Sequence, residues 1–337
     1  MKKMNLTRIL AVCLSLTFGV CGTTFAKAKH TFTLGHTEPT NVSTHLAALK
    51  FAELISERTN GDIEIVIHPN SELGAAADQA QMVQSGAISM AMLPAGHVAT
   101  IVPEVQIFTI PFLFPGDIHE MARIVNGPAI NVLNKDFSEK DIELLAVLPH
   151  APKQFTSNKP INVPADFKGQ KIRTMASPLI VESYKLLGAT PVPINYHEVY
   201  TALQLGTVDG EENPFWAIGE MKFYEVQKYI VESNHAYLAT IFFMNKAMLS
   251  GLPADYRDIV IKTAHEILPY QLEAELKIDK ENEEKIRAHK GTTVTVLSAD
   301  AVAEFKAIMK PVKDIYIKMA GDSGKEVLET YEREMSK

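Results

Sequence analysis

Residues 166–214 read DFKGQKIRTMASPLIVESYKLLGATPVPINYHEVYTALQLGTVDGEENP, and the punctuation of this stretch decides the fold. Gly169 marks a turn, and Lys171 to Met175 follows as a short strand with alternating faces. Ser177 is placed to cap a helix with Pro178 at its first position. Leu179, Ile180, Ser183, Tyr184 and Leu187 recur at helical spacing, and Gly188 ends the run. Val192 to Ile194 returns as a strand. His197 to Leu205 is a second helix, ended by Gly206. Thr207-Val208 leads into a turn at Asp209-Gly210, and Asn213-Pro214 stops the next run. Strand, helix, strand, helix, strand at this spacing predicts an α/β sheet with parallel crossovers. Ligands of such sheets sit outside the carboxyl ends of the strands. Arg173 lies near one such end and Asn213 just after another. A guanidinium is a planar fork that matches a carboxylate, and an asparagine adds one donor and one acceptor. Taken alone, the two residues read as a surface arginine and a turn asparagine.

The pattern as a whole resembles the extracytoplasmic solute-binding proteins of TRAP transporters, the DctP-type family. The matching pieces are Lys168-Gly-Gln-Lys-Ile-Arg173, Tyr196-His-Glu-Val-Tyr-Thr-Ala-Leu-Gln204, Val208-Asp-Gly-Glu-Glu-Asn-Pro214, Lys222-Phe-Tyr-Glu-Val-Gln-Lys-Tyr229 and Asn234-His235. The similarity extends from about His30 to near the C-terminus. It implies a periplasmic binding protein fold: two α/β domains around a ligand cleft, joined by hinge strands and a long helix that spans both. The expected division is a signal peptide at 1–26, a first domain of 27–150 plus 239–278, and a second of 151–238 plus 279–337. The resemblance further implies an organic acid ligand, membrane subunits of a TRAP transporter as partners, a monomer and no cofactor; some relatives bridge a substrate carboxylate with a metal, and none is expected here. Arg173 would pair with a ligand carboxylate, Asn213 would bond the same end, and Tyr196 would pack as an aromatic wall. Lys153 aligns with a position that often supplies a second cation, and Lys153-Gln154 with Ala176-Ser177 look like the C4-dicarboxylate branch. The plain alternative for Lys153 is a solvated lysine on a linker strand.

Composition agrees with an exported globular chain. The 337 residues suffice for two domains, and 46% hydrophobic with 22% charged residues is ordinary for a soluble protein. A net charge of −7 and the lack of a basic, aromatic-interleaved patch argue against nucleic acid. Lys2, Lys3 and Arg8 precede an apolar run from Ile9 to Val20, and small residues at Thr24, Ala26 and Ala28 offer cleavage after Ala26 or after Ala28. The run is too short for a good membrane span. Cleavage after Ala26 takes the net charge from −7 to −10 by removing those three cations. It also removes Cys13 and Cys21, leaving a mature chain without thiol chemistry. Phe18-Gly-Val-Cys21 lacks the small residue of a good lipobox, so a lipoprotein is disfavoured.

Upstream, His30 to Leu34, Ile63 to Ile67 and Ile88 to Leu93 read as strands, with helices at His45 to Arg58 and Ala76 to Gln84. His36, Thr37, Gln79 and Pro94 follow strand ends or begin helices on the expected cleft side; loop and capping roles are the plainer reading for each. Ile107 to Pro115 is a dense apolar run expected in the core near the domain junction. The chain should cross between domains at His150 to Ser157 and return on Tyr237 to Phe243. Trp216 lines the cleft or packs on the following helix, core being the safer expectation. A helical stretch from Leu252 to His289 should kink at Pro269.

Signals for other chemistry are weak. There is no HExxH, GxGxxG or GxSxG. Gly321-Asp-Ser-Gly-Lys325 lacks the Ser/Thr and upstream strand of a phosphate loop and reads as helix punctuation. Asp209, Glu211 and Glu212 read as turn and supporting carboxylates. An enzyme acting on a carboxylic acid, with His36, His150 or Glu211 as base, is the alternative reading. A binding protein that feeds a sensor kinase is a third.

Overall fold

The protein is described by a computed structural model over residues 28–337, so the expected signal peptide lies outside the described residues. In chain order the strands are β1 (His30–His36), β2 (Ile63–His68), β3 (Met90–Pro94), β4 (Ile142–Pro152), β5 (Gln154–Ser157), β6 (Lys171–Thr174), β7 (Thr190–Pro193), β8 (Gly210–Asn213), β9 (Tyr229–Glu232), β10 (Tyr237–Asn245) and β11 (Thr293–Val296). They form two sheets, one in the order β2-β1-β3-β10-β4 and one in the order β11-β9-β5-β8-β6-β7. β3 lies between β1 and β10 and is buried at every residue, which is why its sequence is a continuous apolar run.

Residues 166–214 fold as their local chemistry dictates. Ser177 accepts a hydrogen bond from the Ile180 N–H and caps the helix Pro178–Leu186. Gly188 then takes φ 77°, a left-handed turn that a side chain would resist. β6 runs parallel to both β7 and β8, as the two crossovers require.

The chain passes between the sheets twice on extended segments. β4 ends at Pro152 and β5 begins at Gln154, so Lys153 alone separates a strand of one sheet from a strand of the other. The return runs from β9 to β10. These two segments are stitched together: the Lys153 N–H donates to the Ala236 carbonyl at 2.7 Å, and the Gln154 amide donates to Asn234 Oδ1 at 2.8 Å and accepts from the Ser233 N–H at 2.9 Å. A third crossing is the helix Leu268–Arg287, which packs against β4, against Ser43–Arg58 and against Phe215–Glu220. The stretch before it is a separate helix, Ala254–Glu266, and Pro269 sits in the first turn of the second. A proline there has no N–H to continue the ladder, so the expected kink is a break at Ile267.

The apolar run after Val102 forms a buried 3₁₀ segment, Pro103–Thr109. Phe108 and Phe114 stack at 5.9 Å, and Tyr331 meets both edge-on. The last helix, Val312–Met335, lies along Pro103–Thr109 and touches Ile118–Val125, Ile130–Ser138 and Pro178–Leu186. Tyr316 and Tyr331 donate to the Glu104 and Val125 carbonyls at 2.8 and 3.1 Å. It thus touches elements of both halves, although the expected division groups it with the second sheet. Gly321 interrupts it with a non-helical backbone, so the glycine-rich run there is a kink within a helix.

Gly210 stands opposite Ser157 on the β5–β8 ladder, and a Cβ there would collide with the Thr156 carbonyl oxygen. Backbone cannot yield as a side chain can. Gly210→Ala should cost about 1–3 kcal/mol, read as a lowered urea midpoint with an unchanged m-value.

Candidate functional site

A pocket with about 340 Å³ of space, its open mouth included, lies between the two sheets. Thr37, Glu38, Pro94 and His97 come from strand ends of the first sheet. Arg173, Met175, Tyr196, Asn213 and Trp216 come from the second half, and Leu238 comes from the returning strand. The lining therefore gathers the carboxyl ends of β1, β3, β6 and β8. A wider space of about 610 Å³ shares Thr37, His97 and Tyr196 and is otherwise lined by residues such as Ser71, Asn195 and Glu198. At the rim the His197 ring lies 2.9 Å from the Thr37 carbonyl, and the Asn41 amide donates to Glu220. Both bonds join one half to the other across the cleft.

Arg173 is 2% exposed. Its Nε donates to the Ile194 carbonyl at 3.0 Å, which fixes the fork, and its Nη2 has no partner among the described residues. Burial lowers its pKa, opposed chiefly by Glu211. Asn213 is the last residue of β8, and its amide donates to Glu211. Burial raises the Glu211 carboxyl to about 7, against the pull of Asn213, Arg173 and Thr156. The Tyr196 hydroxyl and the Trp216 indole nitrogen are also buried on this lining and unpartnered among the described residues. Trp216 is at once core and wall: its backbone N–H donates to Asp279 on the spanning helix at 2.8 Å.

Five of the expected residues, Arg173, Asn213, Tyr196, Trp216 and Pro94, meet on this one lining. Three do not. Lys153 is 1% exposed and donates to Glu212 at 2.8 Å. Glu212 also accepts from Tyr184 at 2.9 Å and lies 2.6 Å from His235. Burial alone would raise the Glu212 carboxyl, but Lys153 and His235 outweigh it and hold it well below the usual range. The expected second cation is thus a buried structural ion pair, because β5 pairs with β8 and brings Glu212 beside it. His36 lies 3.0 Å from His45, and its Nδ1 accepts from the Glu38 N–H at 3.3 Å. Burial, with His45 beside it, drops its pKa to about 3. Gln79 donates to the Gly74 carbonyl at 2.8 Å, with its carboxamide packed where a Cβ of Gly35 would stand. His36 and Gln79 therefore brace the loops around the cavity.

Glu38 and His97 are lining residues that the sequence did not single out. Each follows a strand of the first sheet within a few residues, so the strand-end rule could have found both. Burial, then Arg173 and Lys153, push the His97 pKa to about 3, so its ring is neutral.

Comparison with known proteins gives a consistent result. The model of "Bacterial extracellular solute-binding protein, family 7" (DctP) matches residues 34–319. The chain is 32% identical over 298 residues to the 2,3-diketo-L-gulonate-binding periplasmic protein of Escherichia coli K12, covering 88% of this chain and 89% of that one. It is 33% identical over 271 residues to the C4-dicarboxylate-binding periplasmic protein of Rhodobacter capsulatus, covering 79% and 80%. A TRAP periplasmic solute-binding protein from Desulfovibrio salexigens, solved with bound orotic acid, superposes at a TM-score of 0.88 with 36% identity, covering 91% of this chain and 98% of that one.

Lys153→Met would leave the Glu212 charge buried without its ammonium partner. It should destabilise the protein by about 3 kcal/mol, and Lys153→Met with Glu212→Gln should recover part of that loss. Chemical denaturation of the two variants measures both effects.

Proposed function

The chain belongs to bacterial extracellular solute-binding protein family 7, and on that premise we propose that it captures one small organic acid in the cavity between its sheets and hands it to the membrane subunits of a TRAP transporter. The observation that carries the reading is the set of buried donors on a single lining. Arg173 Nη2 and Trp216 Nε1 can only donate, the Tyr196 hydroxyl can donate, and none of the three has a partner among the described residues. A ligand carboxylate would take the open edge of the Arg173 fork. Asn213 and Tyr196 would border it, and Pro94, Met175 and Leu238 supply apolar contact. Lining of this kind, mostly apolar with a few placed polar groups, suits a small solute. The two extended crossings and the spanning helix would serve as the hinge for closure. Export of the chain to the periplasm by its N-terminal segment fits the same role.

The ligand class within organic acids is narrower. A C4-dicarboxylate, the ligand in the name of the Rhodobacter relative, calls for a second cation. Lys153 is committed to Glu212, and the His97 ring is neutral. The lining then presents one cation, which favours an acid with a single carboxylate at the Arg173 end. Orotic acid and 2,3-diketo-L-gulonate, held or named in two of the similar proteins, are acids of that kind.

A thermal-shift screen against small acids identifies binders, since a ligand at about 1,000-fold its Kd adds about 4 kcal/mol. With the best binder, Arg173→Ala should cost about 2–4 kcal/mol of affinity by titration calorimetry, with Arg173→Lys intermediate because an ammonium cannot fork. Unchanged affinity in Arg173→Ala would sink the anchor.

A further inference from the structure

The lining carries an acid that a carboxylate anchor does not explain. Glu38 follows β1 by two residues and is 2% exposed. It lies on the same cavity as Arg173, and neither of its carboxylate oxygens has a hydrogen-bond partner among the described residues. Burial raises its pKa, while the His150 charge pulls it back and so do the Thr44 and Thr240 hydroxyls, which stand near the carboxylate but outside good hydrogen-bond geometry. Its charge is felt by the buried Tyr196 hydroxyl on the same lining. A buried carboxylate without a well-formed hydrogen bond is costly. The buried bases nearby do not supply one. Lys153 is held by Glu212, and His150 points its Nδ1 at Glu275 at 2.9 Å and its Nε2 at Thr240 at 3.0 Å.

We propose that Glu38 is a specificity-determining residue that accepts a hydrogen bond from an N–H or O–H group of the ligand. The ligand is then a small acid with a carboxylate for Arg173 and a donor group, neutral or cationic, for Glu38. This rests on the reading of the cavity as the ligand site. Charge decides against a dicarboxylate. Arg173 balances one carboxylate, and a second would be left facing Glu38, a like charge in a desolvated space. An acid bearing ring N–H, hydroxyl or ammonium groups removes that conflict and gives Glu38 a well-aligned donor from the cavity side. Recognition of this kind discriminates strongly, because an analogue lacking the donor leaves a buried acceptor unmet.

The test is titration calorimetry of the wild-type protein, Glu38→Gln and Glu38→Asp with five probes. Orotate, glucuronate and proline carry a carboxylate plus ring N–H, hydroxyl or ammonium donors; benzoate carries no donor and succinate a second carboxylate. The expected result is that at least one donor-bearing acid binds wild type at least about tenfold tighter than benzoate and succinate. Glu38→Gln should then weaken that acid by roughly tenfold to a hundredfold, the range of a charge-assisted hydrogen bond. The same change should leave benzoate unaltered and strengthen succinate. Glu38→Asp keeps the charge but shortens its reach, so it should weaken the donor-bearing acid while succinate stays weak. Melting curves of both variants establish that they are folded. Donor-bearing acids that bind no tighter than benzoate, or a Glu38→Gln change shared equally by all probes, would overturn the proposal alone, provided Arg173→Ala still weakens binding as expected above. Binding of none of the five to wild type would overturn the organic-acid reading and this one with it.

Discussion

The Lys153 ammonium and the Glu212 carboxylate sit 2.8 Å apart, out of contact with water, at the point where the chain leaves one sheet for the other. Removing two such charges from water is expensive, and their attraction offsets it only with good geometry and further hydrogen bonds. The surroundings supply those bonds: Tyr184 and His235 fill the remaining sites of Glu212. The pair therefore holds only while β5 and β8 stay in register, the Pro178–Leu186 helix stays docked and the β9–β10 return stays alongside. Each of those elements also shapes the cleft. Glu212 is flanked on its own strand by Glu211 and Asn213, so the register that keeps the ion pair also sets the carboxyl end of β8.

A second tie runs along the spanning helix. Glu275 accepts from the Ala151 N–H at 2.8 Å and from the Ser43 hydroxyl, and lies 2.9 Å from His150. One turn later Asp279 accepts from the Trp216 N–H. Residues four apart share a helix face, so one face of one helix holds both the end of β4 and a wall of the cavity. Burial and the neighbouring Glu275 raise Asp279 to about 8, so near neutral pH this contact is largely that of a carboxylic acid. A tie of lower charge costs less to bury.

What was legible in the sequence was local or anchored by pattern. The Ser177 cap, the Gly188 stop, the parallel β6–β7 and β6–β8 pairs and the break at Pro269 each depend on a few neighbouring residues, and all are present. Arg173 and Asn213 were placed near strand ends by spacing alone, and the fold brings them to one lining. Lys153 turns to Glu212 for a reason that no local pattern shows. Its partner is 59 residues away and becomes a neighbour only through the antiparallel pairing of β5 with β8. Glu38 gives no signal in the sequence, because an acid beside a proline in a loop reads as solvent-exposed until its burial is known. The final helix was similarly ambiguous, since an amphipathic run does not say which half it will cover.

The unpartnered polar atoms of the lining have a consequence for traffic through a membrane carrier. Five such atoms, two on Glu38 and one each on Arg173, Tyr196 and Trp216, lie on lining residues drawn from both halves. Each costs about 1–3 kcal/mol when buried without a partner, against the few hydrogen bonds that span the rim. With the proposed hinge, shutting without cargo would be self-penalising, and a fitting solute would invert the balance between open and shut populations. Outline alone then reports occupancy. A docking partner that grips only the shut outline needs no chemical knowledge of the cargo, and idle copies in the same compartment would compete weakly for it.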